Sequence, residues 1–118
     1  MKSLTILFRH APHSTAHGRE GLDLALLSAS FEQTVRLIFV DEGVLHLIDN
    51  QDSELIGTKD YIATLKALPL YDIEEVYACQ QSCMDLSLDP AALRFNAQPL
   101  LAKEISQQLS VANEVLVF

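Results

Sequence analysis

Short unbroken apolar runs alternate along this chain with stretches whose apolar positions recur every three or four residues. Leu4-Thr5-Ile6-Leu7-Phe8 and Val35-Arg36-Leu37-Ile38-Phe39-Val40 are rich in branched and aromatic residues and lack clean alternation. That is the pattern of strands buried on both faces. Glu75-Val76-Tyr77-Ala78-Cys79 is a third, weaker run, and Val115-Leu116-Val117-Phe118 closes the chain as a last strand. Leu93-Arg94-Phe95-Asn96-Ala97 alternates, which fits either a half-exposed strand or an irregular extension.

Helical periodicity fills the gaps. Gly21 to Ser30 sets Leu22, Ala25, Leu26 and Ala29 on one stripe. Gly57 to Leu68 has Thr58 placed to cap its start and Asp60 in its first turn, where a carboxylate complements the helix dipole. Tyr61, Ile62, Leu65 and Leu68 form its apolar face, and Pro69 is expected to end it. Pro99 to Leu109 reads as a helix opened by proline, with Leu101, Ile105 and Leu109 in line. Asp41 to His46 reads as a turn followed by a short helix, with Gly43 supplying flexibility. Strands alternating with helices predict βαβ units. The expected fold is α/β: a single small domain over residues 1–118, with a mainly parallel sheet and helices on both faces.

Composition narrows the class. The chain has 118 residues, 49% of them hydrophobic, so its core needs neither a disulfide nor a metal. Its net charge of −8 argues against autonomous binding to nucleic acid or to an anionic membrane. The charge is uneven: residues 1–40 sum to +1 and the remainder to −9. No apolar run approaches the ~20 residues that span a bilayer, and Arg9 and His10 interrupt the first run too early for a signal peptide. Two cysteines do not make a disulfide framework, so a cytoplasmic setting with free thiols is expected.

In open α/β sheets, sites gather beyond the carboxyl ends of strands. Two segments fall there. The first runs from Arg9 to Gly21 and carries His10, His13 and His17. Three imidazoles can hold a metal, but their spacing matches no strong metal motif, so a solvated loop is the expectation and no metal is assigned. Gly18 and Gly21 lie near a helix start, yet G-x-G-x-x-G and G-x-x-x-x-G-K-[ST] are both absent. His46 stands alone and is expected to be partly buried or at the surface. The second segment is Cys79-Gln80-Gln81-Ser82-Cys83. Cys79 closes a strand just ahead of a short helix, where amide dipoles would lower its pKa below about 8.5 and favour the nucleophilic thiolate. The alternative is a small, inert core cysteine. Cys83, four residues on, would share a face with Cys79 if both were helical, which would allow a redox pair.

The stretch from Ala11 to Asp23 resembles the N-terminal signature of the TusC/DsrF branch of the DsrE/DsrF-like sulfur-relay family. So do Asp60-Tyr61-Ile62-Ala63-Thr64-Leu65-Lys66, the following Leu70-Tyr71-Asp72-Ile73-Glu74, the pattern of Asp41, Gly43 and Val44, and Leu88-Asp89-Pro90. Ser87 departs from the pattern, standing where many relatives have glycine. The resemblance implies an α/β domain with about five strands. It implies a heterohexamer with TusB/DsrH-like and TusD/DsrE-like subunits. A TusA-like donor would supply persulfide sulfur and a TusE-like acceptor would receive it. The sulfur serves 2-thiolation of the tRNA wobble uridine, or dissimilatory sulfur oxidation in the Dsr branch. The principal sulfur-carrying cysteine belongs to the TusD-like subunit, and Cys79 holds the corresponding place here. The TusC branch supports rather than catalyses, so the first expectation is an accessory, partner-binding subunit without a cofactor. The second is a persulfide carrier through Cys79. The third is a homo-oligomeric binding protein unrelated to sulfur. Apolar surface left for sister subunits predicts self-association of the isolated chain.

Overall fold

The computed structural model describes residues 3–10, 17–31, 33–47 and 64–118. Five strands form one sheet: β1 (Ser3–Phe8), β2 (Thr34–Phe39), β3 (Glu75–Cys79), β4 (Gln98–Leu100) and β5 (Glu114–Val117). Their spatial order is β4-β3-β2-β1-β5, and every neighbouring pair is parallel. The sheet is therefore wholly rather than mainly parallel. Helix α1 (His17–Ser30) links β1 to β2, the six-residue α2 (Gln80–Asp85) follows β3, and α3 (Ala102–Val111) links β4 to β5. No described helix is long and apolar enough to cross a membrane.

Period-two alternation divides the strands between two apolar clusters. Leu4, Ile6 and Phe8 of β1, Leu37 and Phe39 of β2, and Ala78 of β3 point to one face. There they pack with Leu22 and Ala25 of α1, with Val44 and Leu47, with Leu65 and Leu68, and with Cys83 of α2. The intervening residues Leu7, Ile38, Tyr77 and Cys79 point to the other face, under Ile105 and Leu109 of α3. The connections after β1, β2 and β3 thus cover one face, and α3 covers the other. This is the lopsided layering that a right-handed crossover requires when the chain reverses direction across the sheet to place β5 beside β1. Gly21 sits on α1 where it crosses β1. A Cβ there would lie 2.6 Å from the Phe8 ring, so only glycine lets helix and strand approach this closely.

Several expectations shift in register. Helix α1 starts four residues before the expected Gly21. Pro69 does not end a helix; it lies inside a 3-10 turn, Leu68–Tyr71, that continues the helical residues 64–67. Thr58, Asp60, Tyr61 and Ile62 fall outside the described residues. Leu93–Ala97 takes the irregular option, with Phe95 and Asn96 both left-handed at φ 61° and 58°. Pro99 belongs to β4 rather than to a helix start. Proline has no backbone N–H to give a ladder, and β4 is an edge strand, where a missing donor is tolerated.

Candidate functional site

The carboxyl ends of β1, β2 and β3 converge on a cluster of polar and thiol groups. After β1, the Arg9 guanidinium Nε lies 3.6 Å from Asp41 Oδ2, an exposed pair that contributes little to stability. Asp41, two residues past the end of β2, is left-handed at φ 51°, and its backbone N–H donates a 2.9 Å bond to Ser82 Oγ of α2. Val40 N–H donates to the Phe8 carbonyl at 2.9 Å, and Gly43 N–H to the Val40 carbonyl at 2.8 Å. A 3-10 segment, Asp41–Leu47, therefore folds tightly back onto the end of β1.

His46 lies on this segment and is fully buried, which corrects the expectation of a partly buried or surface histidine. Its Nε2 is 2.8 Å from the His10 carbonyl oxygen. Its ring tilts against those of Phe8 and Phe39, at centroid distances of 5.7 and 5.5 Å, while these two phenylalanines stack on each other at 4.6 Å. An imidazole here joins the residues after β1 to the segment after β2, which an apolar side chain cannot do. Of the three clustered histidines, His10 is exposed beyond β1, His17 opens α1 and His13 lies outside the described residues. Among the described residues, no three His, Cys, Asp or Glu side chains come together as a metal site.

Cys79 is the last residue of β3 and the residue that starts α2, with an extended backbone at φ −70° and ψ 116°. Its thiol is free and 9% exposed, packed in the smaller cluster with Ile38 and Ile105. Cys83 is free, fully buried and part of the main core on the opposite face of the sheet. The two cysteines therefore do not share one helix face. Cys79 belongs to the strand, so the helical spacing that would align them does not apply. Burial pushes the Cys83 thiol up from its ordinary pKa, and the neighbouring Cys79 adds to the rise. Cys83 is thus packed as a core thiol that holds its proton more tightly than a free one. A cleft of about 170 Å³ lies between the starts of α2 and α3, lined by Gln80, Gln81, Met84, Leu101 and Ala102 but not by Cys79 itself. The Gln81 amide is held by Asp85 at 2.8 Å.

The sequence reading missed the buried role of His46 and the Ser82–Asp41 clasp. The available signal was the position of Asp41-Glu42-Gly43 directly beyond a doubly buried strand.

Comparison with known proteins shows the family of the chain. A family model described as DsrE/DsrF-like matches residues 2–118. A "Protein TusC homolog" of Aliivibrio fischeri is 36% identical over 118 residues, with 100% of both chains covered. Another from Vibrio parahaemolyticus is 39% identical over 118 residues, again covering 100% of each. "Protein TusC" of Escherichia coli O9:H4 is 37% identical over 119 residues at the same coverage. Among solved structures, the YchN protein of E. coli superposes with a TM-score of 0.81 at 18% identity, covering 100% of both chains. At that identity the likeness speaks for the fold alone.

Proposed function

The chain belongs to the DsrE/DsrF-like family, and from that premise we propose that it is a subunit of a TusBCD/DsrEFH-type sulfur-relay complex. In this reading it acts mainly as a structural and partner-binding subunit, assembled with TusB-like and TusD-like subunits in the cytoplasm. The complex takes persulfide sulfur from a TusA-like donor and hands it to a TusE-like acceptor, towards 2-thiolation of the tRNA wobble uridine. The full-length similarity to TusC proteins, at 36–39% identity, carries the reading. The burial of both thiols supports the accessory role. Sulfur transfer needs a thiolate to attack the outer sulfur of a donor persulfide. One S–S bond forms, the donor's S–S bond breaks, and the donor leaves as a thiolate. That attack requires an approach path as well as a reactive sulfur. Cys83 has neither, being fully buried with its pKa raised.

The second reading makes Cys79 itself a carrier. Its position at a strand's carboxyl end, just ahead of α2, favours it. Complementation of a strain lacking the gene separates the two, with thiolated tRNA as the readout. The accessory role expects Cys79→Ser to assemble and to restore most of the product. Loss of product from an assembled Cys79→Ser complex would instead establish a carrier.

A further inference from the structure

The two edges of the sheet are built differently. The β4 edge is three residues long, with exposed Gln98 at its start and Pro99 at its centre. Proline removes a backbone donor, one of the devices that keep an edge from pairing with another chain. The β5 edge, Glu114–Val117, has no proline and no lysine. Its backbone polarity follows from the ladder. Phe118 N–H donates to the Leu7 carbonyl, and the Phe118 carbonyl accepts from Arg9 N–H, both at 2.8 Å. In a parallel strand the two main-chain groups of a residue point to one side, and the next residue's point to the other. Glu114, Leu116 and Phe118 therefore bond towards β1, while Val115 and Val117 turn N–H and C=O away from the sheet. Among the described residues nothing bonds to those outward groups. The side chains of the same two residues lie opposite Thr5 and Leu7, on the face that α3 covers, yet Val115 is 38% and Val117 55% exposed. Val111, which closes α3 just ahead of β5, is 67% exposed.

We propose that the β5 edge pairs antiparallel with the β5 edge of a second copy of this chain, about a twofold axis at Leu116. The outward backbone groups call for an extended strand, since only a strand meets such a row of donors and acceptors. The register is self-complementary, as an isologous contact requires. Val115 of each copy exchanges both bonds with Val117 of the other, so all four outward groups of each copy are satisfied. The same pairing sets the exposed valines side by side on the α3 face, as branched cross-strand neighbours. Charge does not oppose it. The two Glu114 fall at opposite ends of the pair, about 14 Å apart at a rise of about 3.4 Å per residue, beyond the ~8 Å screening length of physiological salt. A contact between four-residue strands falls short of the ~800 Å² per partner of stable complexes, so the dimer is weak and concentration-dependent. The pairing is a property of this chain alone and does not depend on the relay reading.

Sedimentation equilibrium of the purified full chain measures the monomer–dimer balance, and amide hydrogen exchange reads the contact itself. The wild type should move from monomer to dimer between low micromolar and millimolar concentration, and exchange at the Val115 and Val117 amides should slow as it does. Val117→Pro gives this edge the device that Pro99 gives the other. It removes two of the four intermolecular bonds, one from each copy, and should weaken association about tenfold. Val117→Lys keeps the backbone donor but sets two like charges near the axis, and should weaken association as well while keeping the wild-type melting temperature. Leu70→Ser, at an exposed side chain on the turn ahead of β3, should associate as the wild type does. A wild type that stays monomeric at millimolar concentration overturns the pairing. Self-association that both Val117 variants leave unchanged places the contact elsewhere and overturns it too. Protection of the Val115 and Val117 amides by another protein, on a chain that stays monomeric alone, would name a different strand as the occupant and refute the second copy.

Discussion

Replacing Gly43 by alanine probes how the carboxyl end of the sheet is closed. The glycine is not there for a left-handed backbone. It is there because the 3-10 segment passes over the end of β1, so that a Cβ would land on the Phe8 carbonyl oxygen and 3.2 Å from the Arg9 nitrogen. Both are backbone atoms, so no side chain can swing away to make room. Either the segment lifts or the end of β1 shifts. Each movement stretches the Val40 N–H bond to the Phe8 carbonyl and the His46 contact with the His10 carbonyl. Forcing a methyl into a packed site costs about 1–3 kcal/mol. Loosening two hydrogen bonds adds about 0.5–1.5 kcal/mol each. The expected loss is about 2–6 kcal/mol, or roughly 8–24 °C in melting temperature for a domain of this size. Urea unfolding followed by far-UV circular dichroism gives the number. A loss under about 1 kcal/mol with an unchanged m-value would show that this end of the sheet is not closed as described.

Two further outcomes are expected. Ser87 is held at φ 58°, a left-handed conformation costing about 1–2 kcal/mol for a residue with a Cβ. Glycine avoids that cost but loses about 0.5–1 kcal/mol more chain entropy, so Ser87→Gly should stabilise by about 0.5–1 kcal/mol; a lower urea midpoint would contradict this. The raised pKa of Cys83 means that the folded state holds its proton more tightly than the unfolded chain. Its contribution is complete below the ordinary thiol value of about 8.5 and is lost as pH rises towards the folded value. Stability should therefore begin to fall before Tyr77, raised from 10.0 mainly by burial, adds to the decline. Cys83→Ala should flatten the first part of that fall, and an unchanged alkaline profile would refute the assignment.

The strands were legible because doubly buried strands write themselves as unbroken apolar runs, and β3 fell on Glu75–Cys79 as the run does. β4 was not legible. Three residues carry too little pattern, and Pro99 is as much at home on an edge strand as at a helix start. The burial of His46 was hidden because a single imidazole among Asp41, Glu42 and Gly43 carries no periodicity. Its place is set by Phe8 and Phe39, which lie far from it or across a turn in sequence. The same limit applied to the cysteines. A spacing of four residues describes a shared face only inside one helix, and here a strand ends between the two.

That split bears on how sulfur could reach this subunit. Cys79 points to the face covered by α3, and its ladder partner Leu100 leads directly into Leu101 at the start of that helix. The thiol is 9% exposed, and the cleft between the starts of α2 and α3 is lined by Gln80 and Leu101 rather than by Cys79 itself. A carrier role for Cys79 demands that the cover over its thiol, Ile105 of α3 included, open to admit the donor. The accessory role demands no such movement. Ile105 anchors α3 over Cys79 and Ile38, so the helix is fixed by the same contact that shields the thiol. Reactivity of Cys79 and order at the start of α3 should rise and fall in opposition.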